Sequence, residues 1–122
     1  YIHFKICVSI YRHSLYGGLM IPLSEPTYLI LLALIKEPTH GYGIIKTISE
    51  VSEGQYEIAP GTLYGVLKNI EKQKLIEVVG VDLDNRKKKI YAITDAGKEA
   101  LIDEQRRYEK LLSFTYKLSG EG

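Results

Sequence analysis

Residues 59–76, APGTLYGVLKNIEKQKLI, decide the fold. Pro60 stands where a helix would begin; its ring presets a near-helical φ, and the amide it lacks would be unpaired in a first turn anyway. Leu63, Val66, Leu67 and Ile70 follow at helical spacing. On a wheel of about 100° per residue they lie within about 60° of Leu63. Gly61, Gly65, Lys68 and Lys72 take the opposite side, with Tyr64 on the flank. One face must therefore pack on a core while the other is thin and basic. A helix about 10–12 Å across fits a major groove about 12 Å wide. Small residues let its backbone approach, and lysine and tyrosine reach phosphates and base edges. Gly65 costs about 1 kcal/mol relative to alanine inside a helix, a cost that close approach to a partner explains. The same residues also read as the solvated face of an ordinary surface helix, so this helix alone does not choose.

Its neighbours supply the context. Ser24 can cap a helix with Pro26 in its first turn, and TYLILLALIKE is apolar on nearly every side. Such a helix is buried in a core and often against a partner as well. Glu37 precedes Pro38 and should end it. A short amphipathic helix begins at Thr39 or His40, has Ile44, Ile45, Ile48 and Val51 on one face, and stops near Gly54. After residue 76 the period changes. Ile76, Val78 and Val79 read as one strand, and Ile90 with Ala92, or Tyr91 with Ile93, as a second. DLDN between them is the turn signal of a hairpin. Thr94 then caps a helix of roughly 24 residues, about 36 Å long. Leu101, Tyr108, Leu111, Leu112, Thr115 and Leu118 trace a stripe along it, with Gln105 inside. It is longer than so small a domain can cover, so its stripe calls for a partner. The expected fold class is mostly α with a small β-hairpin: a winged helix-turn-helix over residues 20–93 and a long C-terminal dimerisation helix with its tail over 94–122.

Charge supports pairing the helix with the hairpin. The chain of 122 residues carries a net charge of only +1. Between residues 60 and 93, however, seven bases face four acids, whereas from Thr94 onward five face six. Arg86, Lys87, Lys88 and Lys89 are consecutive beside Asn85. At a hairpin tip such charges repel one another unless an anion meets them, although lysines also protect strand edges from aggregation.

The totals narrow the classes. The composition, 45% apolar and 25% charged, suits one packed domain. The single cysteine, Cys7, excludes an internal disulfide and a cysteine-based zinc site, and it fits a reducing, cytoplasmic compartment. His3, His13 and His40 lack metal-ligand spacing, so no cofactor is expected. The longest apolar run, residues 28–35, is far short of the roughly 20 needed to span a bilayer, so no membrane partner is expected. There is no nucleophile-and-base arrangement and no phosphate-cradling glycine loop, which argues against an enzyme. Residues 1–19, YIHFKICVSIYRHSLYGGL, alternate apolar and polar residues and lack an initiator methionine. They read either as an N-terminal strand or arm, or as an upstream extension of a protein that starts at Met20.

HGYGIIKTI, APGTLYGVLKNIEKQKLI and RKKKIYAITDAGKEAL resemble, in this order and spacing, the PadR-like winged-helix transcriptional regulators. The likeness covers roughly residues 23–118. Gly65 departs from it where the family often has proline, and Lys74 where a helix-ending glycine is common. The resemblance implies a homodimeric repressor of the subfamily with a single long dimerisation helix, its first helix assisting. It implies double-stranded DNA as the partner, contacted by Thr62, Tyr64 and Lys68 of the recognition helix, by Tyr42, and by Arg86, Lys87 and Lys88 of the wing; Lys72 joins them from the helix face read above. The dimer interface is expected at Tyr28, Leu29, Leu101, Tyr108, Leu111, Leu112 and Leu118. Many relatives respond to small aromatic or drug-like molecules. Tyr28, Leu29, Tyr108 and Leu112 therefore read either as an effector pocket or as an ordinary packed dimer core. A winged helix used for protein–protein contact is the competing function, since one fold hosts both.

Overall fold

The computed structural model describes residues 22–120; the strand or arm expected within residues 1–19 lies outside them. Helices α1 (Glu25–Lys36), α2 (Gly41–Val51) and α3 (Pro60–Lys72) are followed by strand β1 (Ile76–Asp82). A single 3-10 turn (Leu83–Asn85), strand β2 (Lys88–Ile93) and helix α4 (Asp95–Ser119) complete the chain. Two compact units result: Ser24–Lys98, and a second containing Leu23 and the chain from Glu99 onward.

The helix boundaries follow from local chemistry. Ser24 Oγ accepts a hydrogen bond from the Thr27 amide at 3.3 Å, and Glu37 beyond the end of α1 is extended, as its following proline requires. His40 caps α2 through Nδ1, which accepts from the Gly43 amide at 3.2 Å. This helix ends at Val51, earlier than Gly54, which lies in the following turn at φ +79°. Thr94 Oγ1 accepts from the Gly97 amide at 3.1 Å and donates to the Lys74 carbonyl at 2.7 Å, tying the start of α4 to the end of α3. Gly97 packs against the Leu75 carbonyl so closely that a Cβ would collide with it. At the end of α3, Lys74 adopts φ +64°, the left-handed conformation that glycine enters at least cost.

Ser24–Lys98 is built around Ile30, Leu31 and Leu34 of α1, Ile44 and Ile48 of α2, Leu63, Leu67 and Ile70 of α3, and Ile76 and Tyr91 of the hairpin, all buried. Each such side chain contributes about 1.5–3 kcal/mol through burial. The stripe expected on α3 is thus the core face, with Val66 half-buried at its edge. Val51 departs from the expected pattern: it is 69% exposed. It is the last residue of α2 and borders an open apolar cleft with Leu29, Leu32, Ala33 and Lys36 of α1 instead of a closed core.

Strands β1 and β2 pair antiparallel, Ile76 opposite Ile93 and Asp82 opposite Lys88, with a shift of register between Val78 and Gly80. The hairpin is longer than expected because β1 continues past this bulge to Asp82. Thr39 pairs with Tyr91 through both backbone hydrogen bonds, 3.1 and 2.9 Å, so the α1–α2 connection runs beside β2 as a third short rung.

Candidate nucleic-acid interface

Within Ser24–Lys98, α2, α3 and the hairpin together expose the residues expected to meet DNA. Thr62, Tyr64, Lys68 and Lys72 of α3 are exposed, and so are Arg86, Lys87 and Lys88 of the hairpin and Tyr42 of α2. Gly61 and Gly65 have open space where a side chain would be, so the α3 backbone is directly approachable along this face. Ala59, the residue before α3, offers no side-chain cap. The first-turn amides of α3 therefore lack intrahelical partners, a disposition that suits an anion.

The wing tip is shaped by strain and by one carboxylate. Arg86 and Lys87 both adopt positive φ, +57° and +59°, which turns the chain within two residues and displays two cations at the bend. Asp82 Oδ1 accepts from the Asp84 amide at 3.1 Å, and Asp82 Oδ2 lies 3.6 Å from His40 Nε2. His40 thus bridges the start of α2 to the wing with one nitrogen while capping the helix with the other. Its ring lies 6.4 Å from that of Tyr42, and Lys88 Nζ lies 5.8 Å from the Tyr42 ring centroid. These contacts hold the wing beside α2 without burying its charges.

An open cavity of about 300 Å³ on this surface is lined by Gly41, Tyr64, Lys88, Lys89 and Tyr91. A Cβ on Gly41 would stand 2.7 Å from Tyr64 Oη, so glycine is what lets the tyrosine lie there. Burial raises the Tyr91 phenol above its ordinary value, with smaller contributions from Glu71 and Tyr64, and it stays a hydrogen-bond donor at neutral pH.

In the second unit, Glu104 is 1% exposed. Its carboxylate accepts from Arg107 Nε and Nη2, both at 2.8 Å, and from the Leu23 amide at 3.0 Å. The Arg107 hydrogen bonds hold its carboxyl below the usual range against the opposing effect of burial, with the Leu23 amide assisting. The sequence signal of this pair is a carboxylate three residues before an arginine on a helix, Glu104 and Arg107. Of the residues expected at a dimer interface, Leu101 is buried within the chain, Tyr28, Leu29 and Tyr108 are half-buried, and Leu111, Leu112 and Leu118 are exposed, Leu118 by 90%. Among the described residues no group of acidic, histidine or cysteine side chains is placed to hold a metal, and no helix is long and apolar enough to cross a membrane.

The profile of the transcriptional regulator PadR-like family matches residues 30–103, more than half of the chain. The chain belongs to this family, and it is a DNA-binding transcriptional regulator, not an enzyme. It is 31% identical over 87 residues to the transcriptional regulator YqjI of Escherichia coli, an alignment covering 71% of this chain and 41% of that protein. It is 36% identical over 62 residues to the transcriptional regulator Rv3488 of Mycobacterium tuberculosis, covering 51% and 58% of the two chains. The chain thus spans less than two thirds of either regulator. Among solved structures, a PadR family transcription regulator from Clostridium difficile superposes with a TM-score of 0.67 at 24% identity, over 78% of this chain and 98% of that one. A PadR-like transcription factor from Bacteroides fragilis gives 0.66 at 25% identity, over 75% and 87%.

Proposed function

We propose that the protein is a homodimeric repressor that reads a pseudo-palindromic operator, each α3 entering a major groove and each wing meeting the flanking backbone. What supports this most is the two-sided character of α3: Leu63, Leu67 and Ile70 are buried, and the opposite face exposes Tyr64, Lys68 and Lys72 beside the wing cations. Thr62, Tyr64, Lys68 and Lys72 of α3 are proposed to contact the duplex, together with Tyr42 of α2 and Arg86, Lys87 and Lys88 of the wing. Two-fold symmetry sets the half-sites about 34 Å apart. Dimerisation is assigned to the exposed stripe on the second half of α4, Leu111, Leu112 and Leu118, with α1 contributing Tyr28 and Leu29. Relief of repression by a small aromatic molecule is part of the proposal.

Selection from random duplexes should return an inverted repeat. Against that site, Tyr64→Ala and Lys68→Ala should each weaken binding by about 1–3 kcal/mol, read by fluorescence anisotropy. Wild-type affinity in both variants contradicts the assignment of α3. For the effector, calorimetry with planar aromatic compounds should give saturable heat together with weakened operator binding; heat without weakening rules out induction.

A further inference from the structure

The open cavity in the basic face contains a residue that has so far been given no part in binding. Tyr91 is 7% exposed, and both its backbone groups are bonded to Thr39. Its hydroxyl, however, makes no hydrogen bond with any described residue. The cavity that Tyr91 lines is open to the surface, so the hydroxyl is left to water or to an incoming acceptor. We infer that this cavity seats a phosphate group of the bound duplex, with Tyr91 Oη as its innermost donor, Tyr64 Oη beside it, and Lys88 and Lys89 at its rim. The inference rests on the DNA-binding reading above and adds to it a core residue that is also a ligand contact.

Four observations converge on an anionic oxygen as the missing partner. The Tyr91 phenol is held protonated, so it keeps an O–H to offer an acceptor. Lys88 and Lys89 line the same cavity, and neither makes an ion pair with a described carboxylate. Glu71, whose charge helps hold the phenol protonated, is outside the lining. Gly41, the first residue of the 11-residue helix α2, lines the cavity and brings the positive end of the helix dipole beside it. Gly41 also explains itself: any side chain there would displace the Tyr64 hydroxyl. The volume, about 300 Å³, leaves room for the deoxyribose attached to the phosphate.

Tyr91→Phe tests this with the loss of one oxygen. On a fluorescein-labelled 30-bp duplex of random sequence at low salt, it should weaken binding about tenfold, the scale of a hydrogen bond to a charged group. The salt dependence of binding should be unchanged, because tyrosine neutralises no phosphate charge, whereas Lys88→Ala should lower the slope of log K against log salt by about one. Thermal stability of Tyr91→Phe should equal or exceed that of wild type. A marked fall in its melting temperature with duplex affinity retained would instead make Tyr91 a structural partner of Glu71 and overturn the seat. Gly41→Ala, a substitution favourable to helix, should also weaken duplex binding; wild-type affinity in it would overturn the cavity geometry. Tyr91→Phe binding like wild type while Lys88→Ala and Lys68→Ala are impaired would refute the seat and leave the DNA reading intact. Failure of the wild-type protein to bind any duplex would remove both. Inorganic phosphate, titrated calorimetrically at constant ionic strength, separates the two sources of the anion. No saturable heat together with weakened duplex binding in Tyr91→Phe assigns the seat to the phosphodiester. Heat that Tyr91→Phe abolishes without changing duplex affinity assigns it to free phosphate and overturns the inference.

Discussion

The face of α3 and the outer half of α4 are both exposed, but for opposite reasons. On α3 the exposed face carries glycines, a threonine, a tyrosine and lysines, opposite the buried Leu63, Leu67 and Ile70. Water satisfies that face, and an anionic partner is optional for the fold. On α4, Leu111, Leu112, Phe114, Tyr116 and Leu118 are exposed, an apolar series that water does not satisfy. The first surface is assigned to an anionic ligand and the second to another copy of the chain. The first should thus respond to mutation through ligand affinity alone, and the second through the state of association.

The largest effect that separates them comes from the stripe beneath α3. Leu67→Ala should cost about 2–5 kcal/mol in urea denaturation, whatever the protein concentration. Leu112→Asp should leave the unfolding of dilute protein within about 0.5 kcal/mol of wild type. It should weaken self-association by about 2 kcal/mol or more in sedimentation equilibrium, because a charge would be buried unpaired. Sedimentation unchanged by Leu112→Asp would erase the contrast between the two faces. Lys74→Gly should stabilise the fold by about 1 kcal/mol, since it relieves a left-handed lysine; a loss of stability would show that the Lys74 side chain contributes more than its backbone strain removes. The smallest effect is at Glu104 and depends on pH. Its carboxyl is depressed in the folded state, so its stabilisation is complete above the unfolded carboxylate value, about 4.3, and is lost as pH falls through the folded value. The gap in melting temperature between wild type and Glu104→Gln should therefore be widest at neutral pH and close toward pH 3. A gap that stays constant would mean that packing, not charge, explains Glu104.

Much of the architecture was legible in the sequence because helix period and caps are local. Ser24, Pro26, Pro60 and Thr94 each mark a helix start through chemistry confined to one turn, and the α3 stripe needs no knowledge of what it packs against. Val51 keeps the period of the apolar face and borders the same cleft as Ile48, but only the neighbouring helix determines whether anything covers a final turn. The positive φ of Arg86 and Lys87 was hidden because neither residue type signals it. The candidate site was legible where exposure follows from helical spacing, at Tyr64, Lys68 and Lys72. Its inner wall was not. Gly41, Tyr64 and Tyr91 lie on three different elements, and the Thr39–Tyr91 rung that sets one of them leaves no local mark. Strand period alone left Tyr91 and Ala92 as alternatives for the inward position, and the pairing with Thr39 accompanies the buried tyrosine.

The central claim is that α3 and the wing form one electrostatic reading surface for duplex DNA. Its most direct test is the salt dependence of binding to a random duplex, comparing wild type with a variant carrying Lys68→Ala, Lys87→Ala and Lys88→Ala together. The variant should bind more weakly, and its slope of log K against log salt should be shallower by about 0.9 for each phosphate contact removed. Equal affinity and an equal slope in the two proteins would contradict the account.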